Sequence, residues 1–168
     1  NINRQAASAN NAGGNNNQNN NNQNNTDVNI TSGKYSIGTY ITGIEPGTGA
    51  ADFVKNIAVS ASGTVKLLTS SGSENSGKIA TGNKVAVYDA SGNLKKTYDI
   101  VIYGDINGDG AVNALDMIKL NRHILGKGTL TGAYLEAADA NRKRDGGNAL
   151  DMIIMNRHIL GKSKISQN

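Results

Sequence analysis

Asn113-Ala-Leu-Asp-Met-Ile-Lys-Leu-Asn-Arg-His-Ile-Leu-Gly-Lys127 returns further along the chain as Asn148-Ala-Leu-Asp-Met-Ile-Ile-Met-Asn-Arg-His-Ile-Leu-Gly-Lys162. The copies differ only at Lys119/Ile154 and Leu120/Met155. An internal repeat of this kind is one structural unit used twice. Leu115, Ile118 and Leu125 in one copy, and Leu150, Ile153 and Leu160 in the other, fall at helical spacing. Ile118 and Ile153 are expected to face the core. Gly126 and Gly161 stand where a helix ends in a left-handed residue. A shorter helical stretch, about 131–138, links the copies. The spacing therefore predicts an all-α unit built from two like helices.

Each helix is preceded by a loop rich in oxygen side chains. The first runs Asp105-Ile-Asn-Gly-Asp-Gly-Ala-Val-Asn-Ala-Leu-Asp116. Calcium takes about six to eight hard oxygen ligands, which a twelve-residue loop offers at alternating positions, with glycine sixth for the sharp turn. Asp105, Asn107 and Asp109 supply the alternating oxygens, and Gly110 the turn. The Ala111 carbonyl is the main-chain ligand, Asn113 acts directly or through water, and Asp116 closes the site from the first turn of the helix. The full helix-loop-helix pattern ends in Glu and begins with a helix. Here the last position is Asp, and 100–103 reads as a strand, so the unit is half an EF-hand. An Asx-rich turn without metal is the plain alternative.

The second loop is irregular. Asp139, Asn141, Asp145, Asn148 and Asp151 are the candidate ligands. Asp139 to Asp145 is two residues longer than Asp105 to Asp109, and Asp145 to Asn148 one shorter than Asp109 to Asn113. The insertion brings in Arg142-Lys143-Arg144. Three acids and no base give the first loop a formal charge of −3, whereas three acids and three bases cancel in the second. Nearby cations weaken a divalent site. Calcium is still expected there, through a bulged loop; the alternative is an empty loop, or one closed by pairing of Arg or Lys with Asp.

Upstream, composition changes twice. Residues 1–27 are almost all Asn, Gln, Gly, Ser and Ala, and read as a disordered linker. Residues 28–103 read as a small β-rich module: Tyr35 to Thr42 as a strand, Pro46-Gly47 as a turn, and a short helix capped by Thr48 that carries Ala50, Ala51, Phe53 and Val54. Thr64 to Thr69 and Lys84 to Tyr88 are further strands, Asp89 to Asn93 is a turn, and Thr97 to Tyr103 closes a hairpin with Val101 and Tyr103 on one face. The overall fold class is α+β, a small β-rich module followed by an all-α unit at 104–168.

Composition excludes several function classes. The 168 residues hold no Cys and no Trp, one Phe and 4% aromatics. So small a stock of large side chains favours stapling by a metal, since disulfides are excluded. Scarce aromatics disfavour a sugar-stacking platform. The net charge of +4 is scattered, with one basic cluster set among aspartates, and does not read as a nucleic-acid interface. No apolar run has the length of a membrane span. The β-rich stretch has no His and no convincing pair of acids, and nothing in the chain forms a nucleophile–base pair, a metal-hydrolase motif or a phosphate loop. The chain is expected to be a non-catalytic piece of a longer protein.

The loop-helix pair resembles a type I dockerin over about 104–162. The resemblance is carried by Gly104-Asp-Ile-Asn-Gly-Asp-Gly110, Asn113-Ala-Leu-Asp116, the repeated Asn-Arg-His-Ile-Leu-Gly, and Leu130-Thr-Gly-Ala-Tyr-Leu-Glu-Ala-Ala-Asp139. The segment ending Lys96-Thr-Tyr-Asp-Ile-Val-Ile-Tyr103 more loosely resembles the X modules that precede dockerins in some clostridial proteins. The resemblance implies calcium-dependent binding of a cohesin module on a scaffoldin or cell-surface protein. It also implies a secreted or surface-associated bacterial complex, and a fused partner such as a glycoside hydrolase. The specificity positions it implies are Ala114-Leu115 and Ala149-Leu150. By the same mapping Ile118, Arg122, His123, Ile153, Arg157 and His158 are contact candidates. For each Arg, a solvated charge at a helix C-terminus is the plain alternative. Duplication further suggests two binding orientations related by a half-turn. The rival functions are a calcium-stapled carbohydrate-binding or surface-attachment module, or a calcium sensor or buffer.

Overall fold

The computed structural model describes residues 28–60 and 62–168, so the linker expected at 1–27 lies outside the described residues. Seven short strands come first: β1 (Ile30–Thr31), β2 (Ser36–Ile37), β3 (Tyr40–Thr42), β4 (Ala58–Val59), β5 (Thr64–Leu68), β6 (Lys84–Tyr88) and β7 (Leu94–Ile100), with the helix α1 (Ala50–Lys55) between β3 and β4. One sheet has the order β2-β3-β7-β6-β5, and β1 pairs with β4 in a second. The β3–β7 pair is parallel, and the other pairs are antiparallel.

Local chemistry explains where these elements depart from expectation. The strand expected over Tyr35 to Thr42 is a tight hairpin: Ser36 pairs with Thr42 and Ile37 with Ile41, and the chain reverses at Gly38–Tyr40, where the Gly38 amide donates to the Tyr40 carbonyl at 3.0 Å. The cap of α1 is Gly49, not Thr48; the Thr48 hydroxyl is spent on the Glu45 carbonyl at 2.7 Å. Strand β7 begins at Leu94 and ends at Ile100, and a bulge at Val87/Tyr88 adjusts its register with β6. The turn between them is held by Asp89, whose carboxylate accepts the Ser91 and Asn93 amides. Ile41, Ile44, Phe53, Ile79, Val85, Val87, Ile100 and Ile102 are buried together beneath the sheet, with Tyr35 stacked on Phe53 at 5.0 Å.

Downstream of Ile100 the described residues form helices and no strand: α2 (Ala114–Ile124), α3 (Gly132–Ala138) and α4 (Ala149–Ile159). The helical core contains Leu120 from α2, Ala133 and Ala137 from α3, Met155 from α4, and Ile106, Leu130 and Ile165 from the connections. Leu120 and Met155 occupy equivalent repeat positions, and both are fully buried. The one hydrophobic exchange between the copies thus lies at the heart of the core. Ile118 and Ile153, expected to face this core, are each 56% exposed. Leu115, Leu125, Leu150 and Leu160 are exposed with them, so the helical spacing marked an outward face.

The two cores meet along one stretch of chain. Ile100 and Ile102 belong to the first core, while Val101 and Tyr103 belong to the second. Successive side chains of an extended backbone point to opposite sides, so this segment serves both. The carboxy-terminal tail fastens it: the Gln167 side chain accepts the Tyr103 amide at 2.8 Å and donates to the Tyr103 carbonyl at 3.0 Å. Among the described residues, no helix is long and apolar enough to cross a membrane.

Candidate functional site

In the first loop, Asp105 is fully buried and its carboxylate gathers four main-chain amides. Gly108 and Asp109 donate to Oδ1 at 3.0 and 3.1 Å, and Thr81 and Gly110 donate to Oδ2 at 2.8 and 3.1 Å. Burial is the larger influence, and it pushes the carboxyl up to about 6 against the pull of those amides. Asp116 is also fully buried: Oδ1 accepts the Ile106 and Asn107 amides, and Oδ2 the Asn113 amide. Burial raises it as well. Asp109 lies at the exposed side, where donors from the Asn107 side chain and the Ala111 amide outweigh partial burial and lower it. This set of hard oxygens, with the Ala111 carbonyl in sequence between Asp109 and Asn113, has the chemistry calcium favours.

The second loop repeats this geometry with a different register from the one its residue count suggests. Lys143 donates its amide to Asp139 Oδ1 and Asn141 Oδ1, as Asp109 does to Asp105 and Asn107. Arg144 donates to Asp139 Oδ2, as Gly110 does to Asp105. Asp151 accepts the Asn141 and Asn148 amides, matching Asp116 with Asn107 and Asn113. Residues 139–144 therefore superpose in role on 105–110 without a gap, and the extra residue falls between Arg144 and Asn148. Lys143, not Asp145, holds the fifth position. Asp145 nonetheless converges with Asp139 and Asp151, carboxylate oxygens of all three lying within 4.8 Å of one another. It is the one such group of acidic, His or Cys side chains among the described residues; Asp105, Asp109 and Asp116 do not form one. Burial raises Asp151, with the negative charges of Asp139 and Asp145 acting in the same direction.

The same aspartates start the helices. Asn113 and Asp116, and likewise Asn148 and Asp151, form capping boxes at the head of α2 and α4. At the other end Gly126 and Gly161 take φ of 66° and 67° just past the helix. Their amides bond the His123 and His158 carbonyls, and the Lys127 and Lys162 amides bond the Arg122 and Arg157 carbonyls. This is the Schellman arrangement at both helices. Between these ends, Ala114, Leu115 and Ile118 on α2, and Ala149, Leu150 and Ile153 on α4, are exposed, and α2 packs against α4. Arg122 and Arg157 are exposed in the last turns. The histidines face inward in part: His123 Nδ1 accepts the Leu130 amide at 3.3 Å, and His158 Nδ1 the Ile165 amide at 3.1 Å. Each orients the chain that leaves its helix, which accounts for the repeated His without a ligand.

Residues 103–160 match the family model described as the dockerin type I domain. That segment is a type I dockerin domain. Dockerin domains bind cohesin modules in cellulosome-type assemblies, and they bind calcium. No curated protein and no solved structure matches the chain.

Several residues that shape the dockerin site escape its repeat. Thr81 reaches Asp105 from the β-rich part, and Gln167 reaches Tyr103 from the tail. Tyr103 carries its own contacts: its hydroxyl donates to Glu136 at 3.0 Å, and the Arg142 guanidinium lies 5.8 Å from its ring. Burial first, and then Glu136, push that hydroxyl up to about 12. No local motif signals these long-range partners; an alternation at 100–103 between two apolar sets was the one readable trace.

Proposed function

We propose that this chain is a calcium-dependent tether, which docks on a cohesin module of a scaffoldin or cell-surface protein and brings a fused secreted protein into the complex. The observation that carries the reading is the exposed apolar face, repeated residue for residue on two identically capped helices of a dockerin domain. Leu115, Leu150, Ile118 and Ile153 remain more than half exposed, and Leu125 and Leu160 extend the same exposed face toward the helix ends. Apolar surface so placed gains free energy when a partner covers it. Ala114 and Ala149 keep the heads of the helices low enough for close approach, and Arg122 and Arg157 provide charges at the rim.

Calcium would be held in the first loop by Asp105, Asn107, Asp109, Asp116, the Ala111 carbonyl and Asn113. In the second it would be held by Asp139, Asn141, Asp145, Asn148 and Asp151. The cation supplies charge neutralisation for acids that burial otherwise disfavours. The chain's own residues then fix the helix heads through their capping boxes, so that the docking face is ordered before the partner arrives and less entropy is lost on binding. Because the two faces match, either helix can lead, giving two orientations related by a half-turn. The chain has no catalytic role in this reading; catalysis, such as polysaccharide hydrolysis, belongs to a fused module. The assembly works outside a bacterial cell.

The test is retention of the full chain by a panel of immobilised cohesin modules, in calcium and again in chelator. Retention by at least one cohesin in calcium, lost in chelator, is the expected result. Retention by none, with the chain folded, would sink the reading.

A further inference from the structure

We infer that the β-rich part is a positioning element of the first calcium loop, acting through Thr81 and the Ile79 carbonyl, and that among the described residues the Asp139 carboxylate of the second loop has no such support. The inference rests on the calcium reading above and adds an unequal pair of sites to it.

Three contacts carry it. The Thr81 amide donates to Asp105 Oδ2 at 2.8 Å, across 24 residues of sequence. Thr81 is itself fixed, since its hydroxyl accepts the Ile102 amide at 3.1 Å and donates to the Ile102 carbonyl at 3.2 Å. The Gly47 amide donates to the Gly110 carbonyl at 2.9 Å, which ties the loop to the β3–α1 connection. Around the second loop, among the described residues, the hydrogen bonds to the Asp139 carboxylate come from its own loop, through Lys143 and Arg144.

Glycine usage gives an independent sign of the same asymmetry. Gly108 and Gly110 have φ of 76° and 78°, and their counterparts Arg142 and Arg144 have φ of 57° and 59°. Left-handed backbone alone therefore does not require glycine at these positions. What differs is the neighbour. A Cβ on Gly108 would lie 2.9 Å from the Thr81 carbonyl oxygen, and one on Gly110 would lie 2.5 Å from that of Ile79. Arg142 and Arg144 are exposed. At these two positions the first loop is seated on the β-rich part so closely that only a hydrogen fits, whereas Arg142 and Arg144 at the matching positions of the second face outward.

An amide that orients a ligand's carboxylate shapes the ion's affinity, and losing such support costs roughly 10- to 100-fold in metal binding. Site-resolved calcium titration by NMR of the full chain tests this in wild type, Gly110→Asn and Arg144→Asn. Asn tolerates left-handed φ, so each substitution probes the space rather than the backbone. In Gly110→Asn the first loop is expected to lose roughly 10- to 100-fold in affinity, with the second unchanged. Arg144→Asn is expected to leave the first loop unchanged. First-loop affinity in Gly110→Asn equal to wild type would overturn the inference. Wild type that binds no calcium at either loop would overturn the calcium reading and this inference with it. The Thr81 amide resonance of wild type gives a second measurement that needs no variant. It is expected to move with first-loop occupancy, and a resonance indifferent to calcium would overturn the coupling even if Gly110→Asn does not fold.

Discussion

Protein stripped of divalent cations is expected to lose stability as pH rises from about 4 to about 6, the reverse of ordinary acid behaviour. The group responsible is Asp105, which burial lifts from 3.8 to about 6, the Thr81 and Gly110 amides offsetting part of that and the Asp116 charge adding to it. A carboxyl whose folded value lies above its unfolded one binds its proton more tightly when folded. Its stabilising contribution is thus fully present below the unfolded value and is lost as pH rises through the folded one. Raising the folded value from 3.8 to about 6 corresponds to about 3 kcal/mol, at about 1.36 kcal/mol for each tenfold change in proton affinity. Asp116 and Asp151 are raised by burial and act with the same sign. Asp89, lowered to about 2 chiefly by its Asn93 hydrogen bonds, acts with the opposite sign but titrates below this window. Saturating calcium should reverse the trend, because the ion needs the carboxylate and displaces the proton. Urea midpoints of the metal-stripped full chain at several pH values between about 4 and 7, followed by helical circular dichroism and repeated in calcium, read this directly. A metal-stripped midpoint that climbs steadily across the range would refute the burial argument.

Truncating Leu115 and Ile118 together, or Leu150 and Ile153 together, to Ala should change stability by less than about 0.5 kcal/mol per site, since these side chains are already largely solvated. Either pair alone should leave cohesin binding measurable by surface-immobilised kinetics, and all four together should abolish it; loss of binding from one pair alone would rule out two equivalent orientations. Gln167→Ala leaves the buried Tyr103 amide and carbonyl unpaired and should cost about 2 kcal/mol by thermal unfolding. Lys143→Asp places an acid at the fifth position of the second loop and removes a cation, so calcium should bind there more tightly in a calorimetric titration, while the first loop stays as it was.

The first loop and both helices were legible because their determinants are local. Oxygens at fixed spacing, a capping Asn-x-x-Asp and a terminal Gly each act over a few residues, and the repeat displayed them twice. The second loop was harder for a physical reason. Glycine normally marks a left-handed turn, and here Arg142 and Arg144 make those turns, so the sequence concealed that Lys143 stands in for Asp109. Ile118 and Ile153 were misplaced because helical periodicity reports an apolar face without saying whether the fold or a partner covers it. The Nδ1 of each repeated His also serves the chain leaving its helix, a role that no local motif announces. Thr81 and Gln167 act across 24 and 64 residues, and nothing beside them in the sequence names their partners.

Ile100 to Tyr103 sends alternate side chains into two cores, and the family match begins inside that stretch. A fusion engineer who cuts at the boundary of homology would sever a shared wall. The recipient would gain a helix pair whose first loop lacks Thr81 and whose entering segment lacks Ile102. The portable cassette therefore includes the β-rich part that carries Thr81 and Ile102 and the tail that carries Gln167, larger at both ends than the portion that kinship marks out.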